Sequence, residues 1–317
     1  MTTIKTAVIG TGYLGKYHVE KFAQLAHSQL VGICDIDKTH SQELSEKYQV
    51  FATDDYRTLA NQVDAVSIAT PTPSHFEIAQ FFLNNGIHVF IEKPISTTIE
   101  EANELIRIAE ANNCILQVGH VERFNAAFQF IQPMLGVPRF IESQRLTSFK
   151  LRGSDVSVIL DLMIHDIDIA LSIAKSPITD IRATGAYVLT PFIDIANARI
   201  EFENGCVASL TASRINSASV RRLRVFQNDA YLLADMQKNI CRIRQKTTSE
   251  MYPGVPDIEH EDVYLEKGDA LNHEISAFLD AIVFGKKAIV SGQDARDALS
   301  VALKITDIVN DNNERYR

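Results

Sequence analysis

A glycine-rich loop near the start of the chain constrains the fold more than any other feature. Thr6 to Ile9 is a short apolar, β-branched run typical of a buried strand, and Gly10, Gly12 and Gly15 follow it with the spacing G-x-G-x-x-G. Apolar residues then recur at helical spacing, which predicts a helix beginning at the loop. A strand, a tight turn and a helix N-terminus in this order form a binding site for the pyrophosphate of a dinucleotide. Glycine triplets also occur in ordinary turns, so the loop alone leaves both interpretations open.

An acidic residue after the second strand supports the first interpretation. The strand Leu30 to Ile33 leads to Asp35, about 20 residues after Gly15, where dinucleotide-binding folds place the acid that accepts the ribose hydroxyls. Asp35 and Asp37 would repel a 2′-phosphate, and Lys38 is the nearby cation in the sequence. The sequence therefore predicts NAD as the cofactor and not NADP. The alternative for Asp35 is that it caps the next helix.

The first 120 residues continue as an alternation of strands and helices. Further strands are predicted at 50–52, 63–69, 88–91 and 115–118, with helices at 39–48, 75–85 and 98–112. This order predicts an α/β fold in which residues 1–120 form a Rossmann domain with a doubly wound parallel sheet.

The pattern changes after Gly119. One long helix is predicted at 156–175 and two more at 269–284 and 293–309, and extended segments are predicted at 178–188, 193–202, 206–215, 222–236 and 240–245. Residues 121–317 are therefore expected to form an α+β domain with a mostly antiparallel sheet.

Composition excludes several classes of function. The chain has 317 residues, long enough for two domains, with 46% hydrophobic and 22% charged residues. No apolar run approaches the roughly 18 residues that span a bilayer, so no membrane partner is expected. A net charge of -9 argues against a nucleic-acid surface. The four cysteines lie far apart without a C-x-x-C pair, which predicts reduced thiols in a cytoplasmic protein and no metal site.

Lys93 is the first candidate for acid–base chemistry. It follows the predicted strand 88–91, at the sheet edge where ligands gather, and Pro94 fixes the turn behind it. A lysine beside a cationic nicotinamide would have its pKa lowered toward the range of a useful base. The alternative is a solvated lysine at a strand end.

Asp161 and His165 form the second candidate. They are four residues apart and would share one face of the predicted helix, with Asp168 one turn later. A carboxylate that orients an imidazole is a common arrangement for a base that titrates near neutrality. The alternative is a satisfied buried pair with a purely structural role.

Together these motifs resemble the Gfo/Idh/MocA family of NAD(P)-dependent sugar and cyclitol oxidoreductases. The glycine loop, the threonine- and proline-rich loop at 70–75, Glu92-Lys93-Pro94 and the aspartate four residues before a histidine all match, and they span both predicted domains. The resemblance implies that Lys93, Asp161 and His165 surround the substrate carbon, and that Glu92 holds the ribose or the amide of the cofactor. The expected cofactor-binding residues are Gly10, Gly12, Tyr13, Leu14, Gly15, Asp35, Thr70, Pro71, His75, Glu92 and Lys93.

Within the family, the segments 119–125, 154–160 and 222–227 resemble the nucleotide-sugar branch, although Ala126 stands where that branch usually has proline. The expected substrate-binding residues are His120, Arg123, Asn125, Arg152, Asp161 and His165. A diphosphate requires cations, and the segments that flank the predicted cleft contain Arg123, Arg145, Lys150 and Arg152. They could equally balance an acidic surface.

The resemblance implies oxidation of a secondary hydroxyl of a small-molecule substrate, with C3 of a UDP-N-acetyl hexosamine as the expected position. Whether Lys93 or His165 is the base stays open. A dehydrogenase of a free sugar or inositol, an NAD-binding sensor and a redox-neutral enzyme that keeps its NAD are the alternatives. A sheet with one apolar face uncovered would favour self-association, and the resemblance also implies a homo-oligomer, either a homodimer or a homotetramer.

Overall fold

Fourteen strands and eight α-helices make up the regular structure in a computed structural model that describes residues 3–151 and 153–315. The strands are β1 (Ile4–Ile9), β2 (Ser28–Cys34), β3 (Phe51–Thr53), β4 (Ala65–Ile68), β5 (His88–Glu92), β6 (Leu116–Gly119), β7 (Phe140–Leu146), β8 (Ile178–Ala186), β9 (Ile195–Phe202), β10 (Val207–Ser213), β11 (Val220–Phe226), β12 (Ala230–Asp235), β13 (Ile240–Tyr252) and β14 (Val255–Tyr264). The helices are α1 (Gly15–Gln24), α2 (Lys38–Tyr48), α3 (His75–Asn84), α4 (Ile99–Ala111), α5 (Ala126–Ile131), α6 (Ile164–Ala174), α7 (Ala270–Phe284) and α8 (Gly292–Arg315).

The first six strands form one parallel sheet. Their order is β3-β2-β1-β4-β5-β6, so the direction of winding reverses between β1 and β4. In open α/β sheets, ligands bind beside the carboxyl ends of the strands at such a reversal. The predicted Rossmann fold is confirmed, and it places the glycine loop after β1 and the Thr70 loop after β4 at this position.

The remaining eight strands form a second sheet in the order β14-β13-β12-β11-β7-β10-β9-β8. Every neighbouring pair is antiparallel except β7 and β10, so the predicted mostly antiparallel α+β architecture is confirmed. The segment predicted at 222–236 is two strands, β11 and β12, because the chain turns at 227–229. The strands β7 and β14 and the helix α5 were not predicted.

The two faces of the second sheet have different chemistry. One face carries buried alternate residues such as Ile141 on β7 and Ile200 on β9, and apolar residues of α6 and α8 pack against it. On the other face, the register aligns Asn197, Thr211, Gln144 and Arg222 in one row. The same face also carries the half-buried apolar residues Phe140, Leu146 and Phe226, so it is mixed in character, and self-association through it stays a prediction.

The chain divides into two units. The first contains the chain up to Val121 and Asp269–Asp297, and the second contains Glu122–Gly268 and the chain from Ala298 onward. The division predicted from the sequence, 1–120 and 121–317, placed Asp269–Asp297 in the second domain, whereas the structure assigns this segment to the first unit.

Apolar packing explains why the chain returns. Ile275 and Phe278 of α7 are fully buried in one cluster with Val19 and Phe22 of α1. The segment before α8 also reaches β6, where Val118 N donates to the Val290 carbonyl at 3.1 Å. Both contacts link residues far apart in sequence, which local patterns do not report.

Within residues 3–151 and 153–315, no helix has the length and apolar character needed to cross a bilayer.

A buried ionic cluster holds α6 on the second sheet. Arg145 of β7 donates from Nε to Asp166 at 2.8 Å and from Nη1 to Glu122 at 2.7 Å, and all three side chains are at most 7% exposed. Ser143 donates to the same Asp166 carboxylate at 2.7 Å. Burial opposes ionisation of Glu122, but the charges of Arg145 and Arg221 outweigh it and hold its pKa below the ordinary value.

We expect Arg145→Met to lower the free energy of unfolding by about 3 kcal/mol or more, because the buried Asp166 would lose its counter-ion and Glu122 would keep only the half-exposed Arg221. Arg221→Met is the matched control. Arg221 contacts the same Glu122 oxygen at 3.3 Å but its side chain is 50% exposed, so its loss should cost less than about 1 kcal/mol. Urea unfolding at pH 7, followed by circular dichroism, measures both, and equal losses would contradict the cluster's role.

The same cluster predicts how stability depends on pH. Because the pKa of Glu122 is lower in the folded protein, its contribution is present above the ordinary glutamate pKa of about 4.3 and is lost as the pH falls further. Urea unfolding of the wild type should therefore give a falling free energy of unfolding as the pH is lowered below that value.

Candidate functional site

The three glycines of the first loop differ in what surrounds them. A Cβ at Gly15 would lie 1.8 Å from the carbonyl oxygen of Gly10, and Gly10 itself has φ +88° and packs on the backbone at Thr70. A Cβ at Gly12 would meet nothing within 4 Å. Gly10 and Gly15 thus allow strand and helix to pack closely, whereas Gly12 borders open space.

Asp35 is fixed to this loop. One carboxylate oxygen accepts hydrogen bonds from Thr11 N at 2.5 Å and from Thr11 Oγ1 at 2.8 Å, and the other accepts from Asp37 N at 2.9 Å. The cap of α2 is Asp37, which accepts from Thr39 N, so Asp35 does not cap that helix. Lys38, the nearby cation, pairs with Asp54 at 2.8 Å. The carboxylate is therefore held at the glycine loop by backbone and side-chain donors and is not used as a helix cap.

Two neighbouring loops are tied together by His75. Its Nδ1 lies 2.9 Å from the carbonyl oxygen of Pro94 and its Nε2 lies 2.9 Å from that of Thr70. Burial lowers the pKa of His75. The two carbonyl oxygens and the charge of Glu92 raise it, but by less, so the pKa stays below its ordinary value. Pro71 begins the short helical turn Thr72–Ser74 in front of it. His75 thus holds the loop after β4 against the Lys93–Pro94 bond, which is cis.

Glu92 and Lys93 lie at the carboxyl end of β5. The Glu92 carboxylate accepts from His18 Nε2 at 3.0 Å and from Lys93 N at 3.3 Å. Lys93 is half-buried. The loops after β1, β4 and β5 thereby bring most of the predicted cofactor residues to one sheet edge, as the parallel topology requires.

Tyr13 and Leu14 complete the glycine loop. Tyr13 is 58% exposed, and its ring lies 5.9 Å from that of Tyr17. Lys16 Nζ lies 5.3 Å from the Tyr13 ring centroid. Leu14 is half-buried and immediately precedes α1. Tyr13 therefore presents an aromatic surface beside the glycines.

The second unit contains Asp161 and His165. A π-helical turn, Ile159–Met163, carries Asp161 and precedes α6, in which His165 is the second residue. The prediction of one continuous α-helix over 156–175 is wrong in this first turn. Widened turns of this kind are frequent at functional sites. Asp161 is half-buried and His165 is 9% exposed.

The loop before the π turn is fitted to Asp161. Gly153 has φ +75°, and a Cβ there would lie 2.9 Å from Asp161 Oδ2. Arg214, 4% exposed, donates to the carbonyl oxygens of Gly153 at 2.7 Å and of Val156 at 2.5 Å. Its Nε lies 3.7 Å from Asp194. A buried arginine thus fixes the loop on which Asp161 rests.

The predicted substrate residues lie in several different environments. Arg123 donates from Nε at 2.6 Å and from Nη2 at 2.8 Å to Asp168, so it is engaged by α6. Asn125 caps α5 by accepting from Ala127 N at 3.0 Å. His120 is 1% exposed and follows β6 in the first unit. Arg152 lies outside the described residues.

The expectation that Arg123 and Arg145 offer their charge to a diphosphate is not supported by these contacts. Both guanidinium groups are occupied by aspartates of α6, Arg123 by Asp168 and Arg145 by Asp166. Lys150, in contrast, is exposed.

Sequence reasoning missed His18, Ser67, Arg214 and Asp194. His18 had a detectable signal, because it lies on the same helical face as Val19 and Phe22, where a polar residue needs a partner. Ser67 and Arg214 had none, since their partners are distant in sequence, and Asp194 accepts from the backbone N–H groups of residues 188–190, a contact that no spacing pattern predicts. Among the described residues, no group of three or more His, Cys, Asp or Glu side chains is arranged to hold a metal ion.

Comparisons with known families match both parts of the chain. Residues 4–120 match the GFO_IDH_MocA model of an oxidoreductase family with an NAD-binding Rossmann fold, and residues 117–232 match the GFO/IDH/MocA C-terminal domain.

Individual relatives match along nearly the whole chain. The protein is 38% identical over 306 residues to a UDP-N-acetylglucosamine 3-dehydrogenase of Acidithiobacillus ferrooxidans, which covers 96% of this chain and 97% of that one. It is 26% identical over 328 residues to a scyllo-inositol 2-dehydrogenase (NAD(+)) of Bacillus subtilis, covering 96% and 93%. A solved structure of the Acidithiobacillus enzyme has a TM-score of 0.90 at 37% identity and covers 98% of each chain.

The glycine loop allows packing and ligand binding to be tested separately. We expect Gly15→Ala to lower the unfolding temperature strongly, because its Cβ would collide with the Gly10 carbonyl oxygen. Gly12→Ala should unfold near the wild-type temperature but bind NAD more weakly, because its methyl group would occupy the space that a pyrophosphate needs. Thermal unfolding and isothermal titration with NAD measure the two effects. Unchanged NAD affinity in Gly12→Ala would show that the pyrophosphate lies elsewhere.

Proposed function

The chain belongs to the Gfo/Idh/MocA oxidoreductase family, and from this premise we propose that it oxidises C3 of UDP-N-acetylglucosamine or of a closely related UDP-sugar. The observation that carries the proposal is the 38% identity, along 96% of the chain, to a UDP-N-acetylglucosamine 3-dehydrogenase. The family predicted from the motifs is confirmed. The protein is an NAD-dependent oxidoreductase of the sugar dehydrogenase type.

The first unit carries the proposed NAD site. The open space at Gly12, the carboxylate of Asp35 and the loops after β4 and β5 fit a dinucleotide laid across the carboxyl ends of the strands. Asp35 would accept the ribose hydroxyls and Glu92 would hold the nicotinamide ribose or amide. When bound, NAD supplies the hydride acceptor.

The proposed chemistry needs one base. As the C–H bond of the substrate carbon breaks and its electron pair leaves as hydride, the hydroxyl proton passes to Lys93 Nζ or to the His165 imidazole. Either group must be neutral to accept it. Asp161 orients the substrate and the histidine, and the π turn and the Arg214 contacts hold Asp161 in place for this role.

The proposed substrate contacts are revised by the ion pairs. Arg123 is assigned the positioning of α6 through Asp168, and Asn125 is assigned the capping of α5. We assign the diphosphate to the exposed Lys150 and to Arg152, which is close to it in the sequence but lies outside the described residues. His120 remains a proposed contact for sugar hydroxyls.

We further propose a homodimer or homotetramer in the cytoplasm. The face of the second sheet that carries Glu142 and Arg224, 3.0 Å apart, also carries the half-buried aromatic residues Phe140 and Phe226, and this mixture of charged and aromatic side chains supports an interface. The four cysteines are free and three of them are buried, which supports a reducing compartment.

An inositol is the second candidate substrate. The 26% identity to a scyllo-inositol 2-dehydrogenase extends over 96% of this chain, so the same framework serves a cyclitol in that relative. An enzyme of this kind would not depend on cations that bind a diphosphate.

Absorbance at 340 nm tests the proposal directly. Purified protein with NAD should produce NADH with UDP-N-acetylglucosamine and much less with N-acetylglucosamine, which lacks the nucleotide, or with inositols. A signal with inositols alone would replace the proposed substrate by the second candidate. If NAD binds but no substrate gives NADH, the dehydrogenase proposal is wrong.

The same assay tests the proposed base. We expect Lys93→Ala and His165→Ala each to lower turnover by roughly 100-fold or more, because general acid–base catalysis contributes on that order. NAD affinity, measured by titration, should change little in His165→Ala. If one variant keeps wild-type turnover, its residue is not the base. The pH dependence of turnover in that variant should then report the titration of the other residue.

A further inference from the structure

A buried histidine joins the helix after the glycine loop to the acidic residue at the end of β5. His18 of α1 is 0% exposed. Its Nδ1 lies 2.8 Å from Ser67 Oγ on β4, and its Nε2 lies 3.0 Å from Glu92 Oε1. Its ring meets Phe90 edge-on, with centroids 5.5 Å apart. Both ring nitrogens therefore have partners, and the partners lie on two different strands.

The Glu92 carboxylate is confined on its other side as well. Its Oε2 accepts from Lys93 N at 3.3 Å. A Cβ at Gly119 of β6 would lie 3.0 Å from Oε2 and 3.1 Å from the carboxyl carbon, which is closer than side chains normally approach. Glycine at 119 thus leaves the room that this orientation of Glu92 needs.

We propose that His18 is a positioning residue for the cofactor contact of Glu92. Its Nε2–H donates to the carboxylate and fixes the orientation in which Glu92 meets NAD, an inference that rests on the proposed function. Since α1 begins at the glycine loop, one helix supports both ends of the cofactor site. Its N-terminus faces the pyrophosphate, and His18 sets the acid at the nicotinamide side.

The positions of the protons are consistent with donation from His18 Nε2 to Glu92. An ionised carboxylate only accepts, so Nε2 must carry a proton. The Ser67 hydroxyl donates to Nδ1 of a neutral ring or accepts from a protonated one, so both charge states satisfy every atom. Burial raises the pKa of Glu92, but the hydrogen bond and charge of His18, together with Lys93, outweigh it and leave the pKa below its ordinary value.

Two substitutions at position 18 separate the two hydrogen bonds. The amide nitrogen of His18→Gln can replace Nε2 and still donate to Glu92, whereas that of His18→Asn replaces Nδ1 and reaches only toward Ser67. We expect His18→Asn to weaken NAD binding by about 10-fold or more, the loss typical of a hydrogen bond to a charged group, and His18→Gln to retain most of the affinity. His260→Asn, at an exposed position of β14, is the control and should bind NAD like the wild type.

A second readout needs neither turnover nor cofactor. The ¹³C signal of the Glu92 carboxyl, assigned by its loss in Glu92→Gln, should titrate below the ordinary range in the NAD-free wild type, and His18→Gln, which keeps the hydrogen bond but carries no charge, should titrate between the wild type and His18→Asn. It should titrate at the highest pH in His18→Asn, where only Lys93 still offsets the effect of burial. The imidazole ¹⁵N spectrum of the wild type should show Nε2 protonated, and this measurement holds even if both variants fail to fold.

Each failure has its own signature. Equal loss of NAD affinity in His18→Gln and His18→Asn would assign His18 to packing and overturn the proposal, as would an unprotonated Nε2. Wild-type NAD affinity in His18→Asn would overturn it too. If the wild-type protein bound no NAD, the proposed function would fail, while the Glu92 titration would still decide whether His18 positions this carboxylate.

Discussion

The burial of charge on α6 is the constraint on which the second unit depends. The helix is buried almost all round, and a uniformly apolar helix has no preferred rotation against its neighbours. Asp166 and Asp168 remove that freedom, because each is held by an arginine at two points, by Arg145 from the sheet and by Arg123 from the turn Val121–Phe124. His165 adjoins this pair, so its direction is set by ion pairs and not by apolar packing alone. Burying these charges costs solvation, and we infer that specificity of orientation is what they provide.

In the first unit, polar side chains are also fixed by partners within the protein, but here most of these partners are neutral. Its parallel sheet is buried on both faces, so polar side chains inside it need partners within the protein. Thr11 with Asp35, and His75 with two carbonyl oxygens, supply such partners at the strand ends. Each of these links joins loops that follow different strands. The sheet edge is therefore shaped before any ligand arrives, which reduces the ordering that binding would otherwise require.

The sequence was most informative where a feature repeats or has a required spacing. The fold of the first unit was predicted correctly from three local features: the alternation of strands and helices, the glycine loop and the acidic residue Asp35. Lys93, Asp161 and His165 were singled out by motif and remain proposed site residues, but the contacts around them could not be predicted from the sequence. The ion pairs of Arg123 and Arg145 could not be predicted, because an arginine looks the same in sequence whether it faces solvent or a buried aspartate, and their role as ligands for a diphosphate stays an untested prediction. The π turn at Asp161 also has no periodic signature, since it inserts one irregular turn between two regular ones.

The return of Asp269–Asp297 to the first unit has a consequence for how the protein is made. The apolar residues of α1 and β5 that pack on α7 are synthesised early, whereas their partners leave the ribosome only after the whole second sheet has been translated. During that interval Val19, Phe22 and Phe90 are not yet packed against the apolar residues of α7 that bury them in the complete protein. The unit whose strands emerge first is thus completed late, and a nascent chain that stops before α7 presents an apolar surface to the chaperones of the cell.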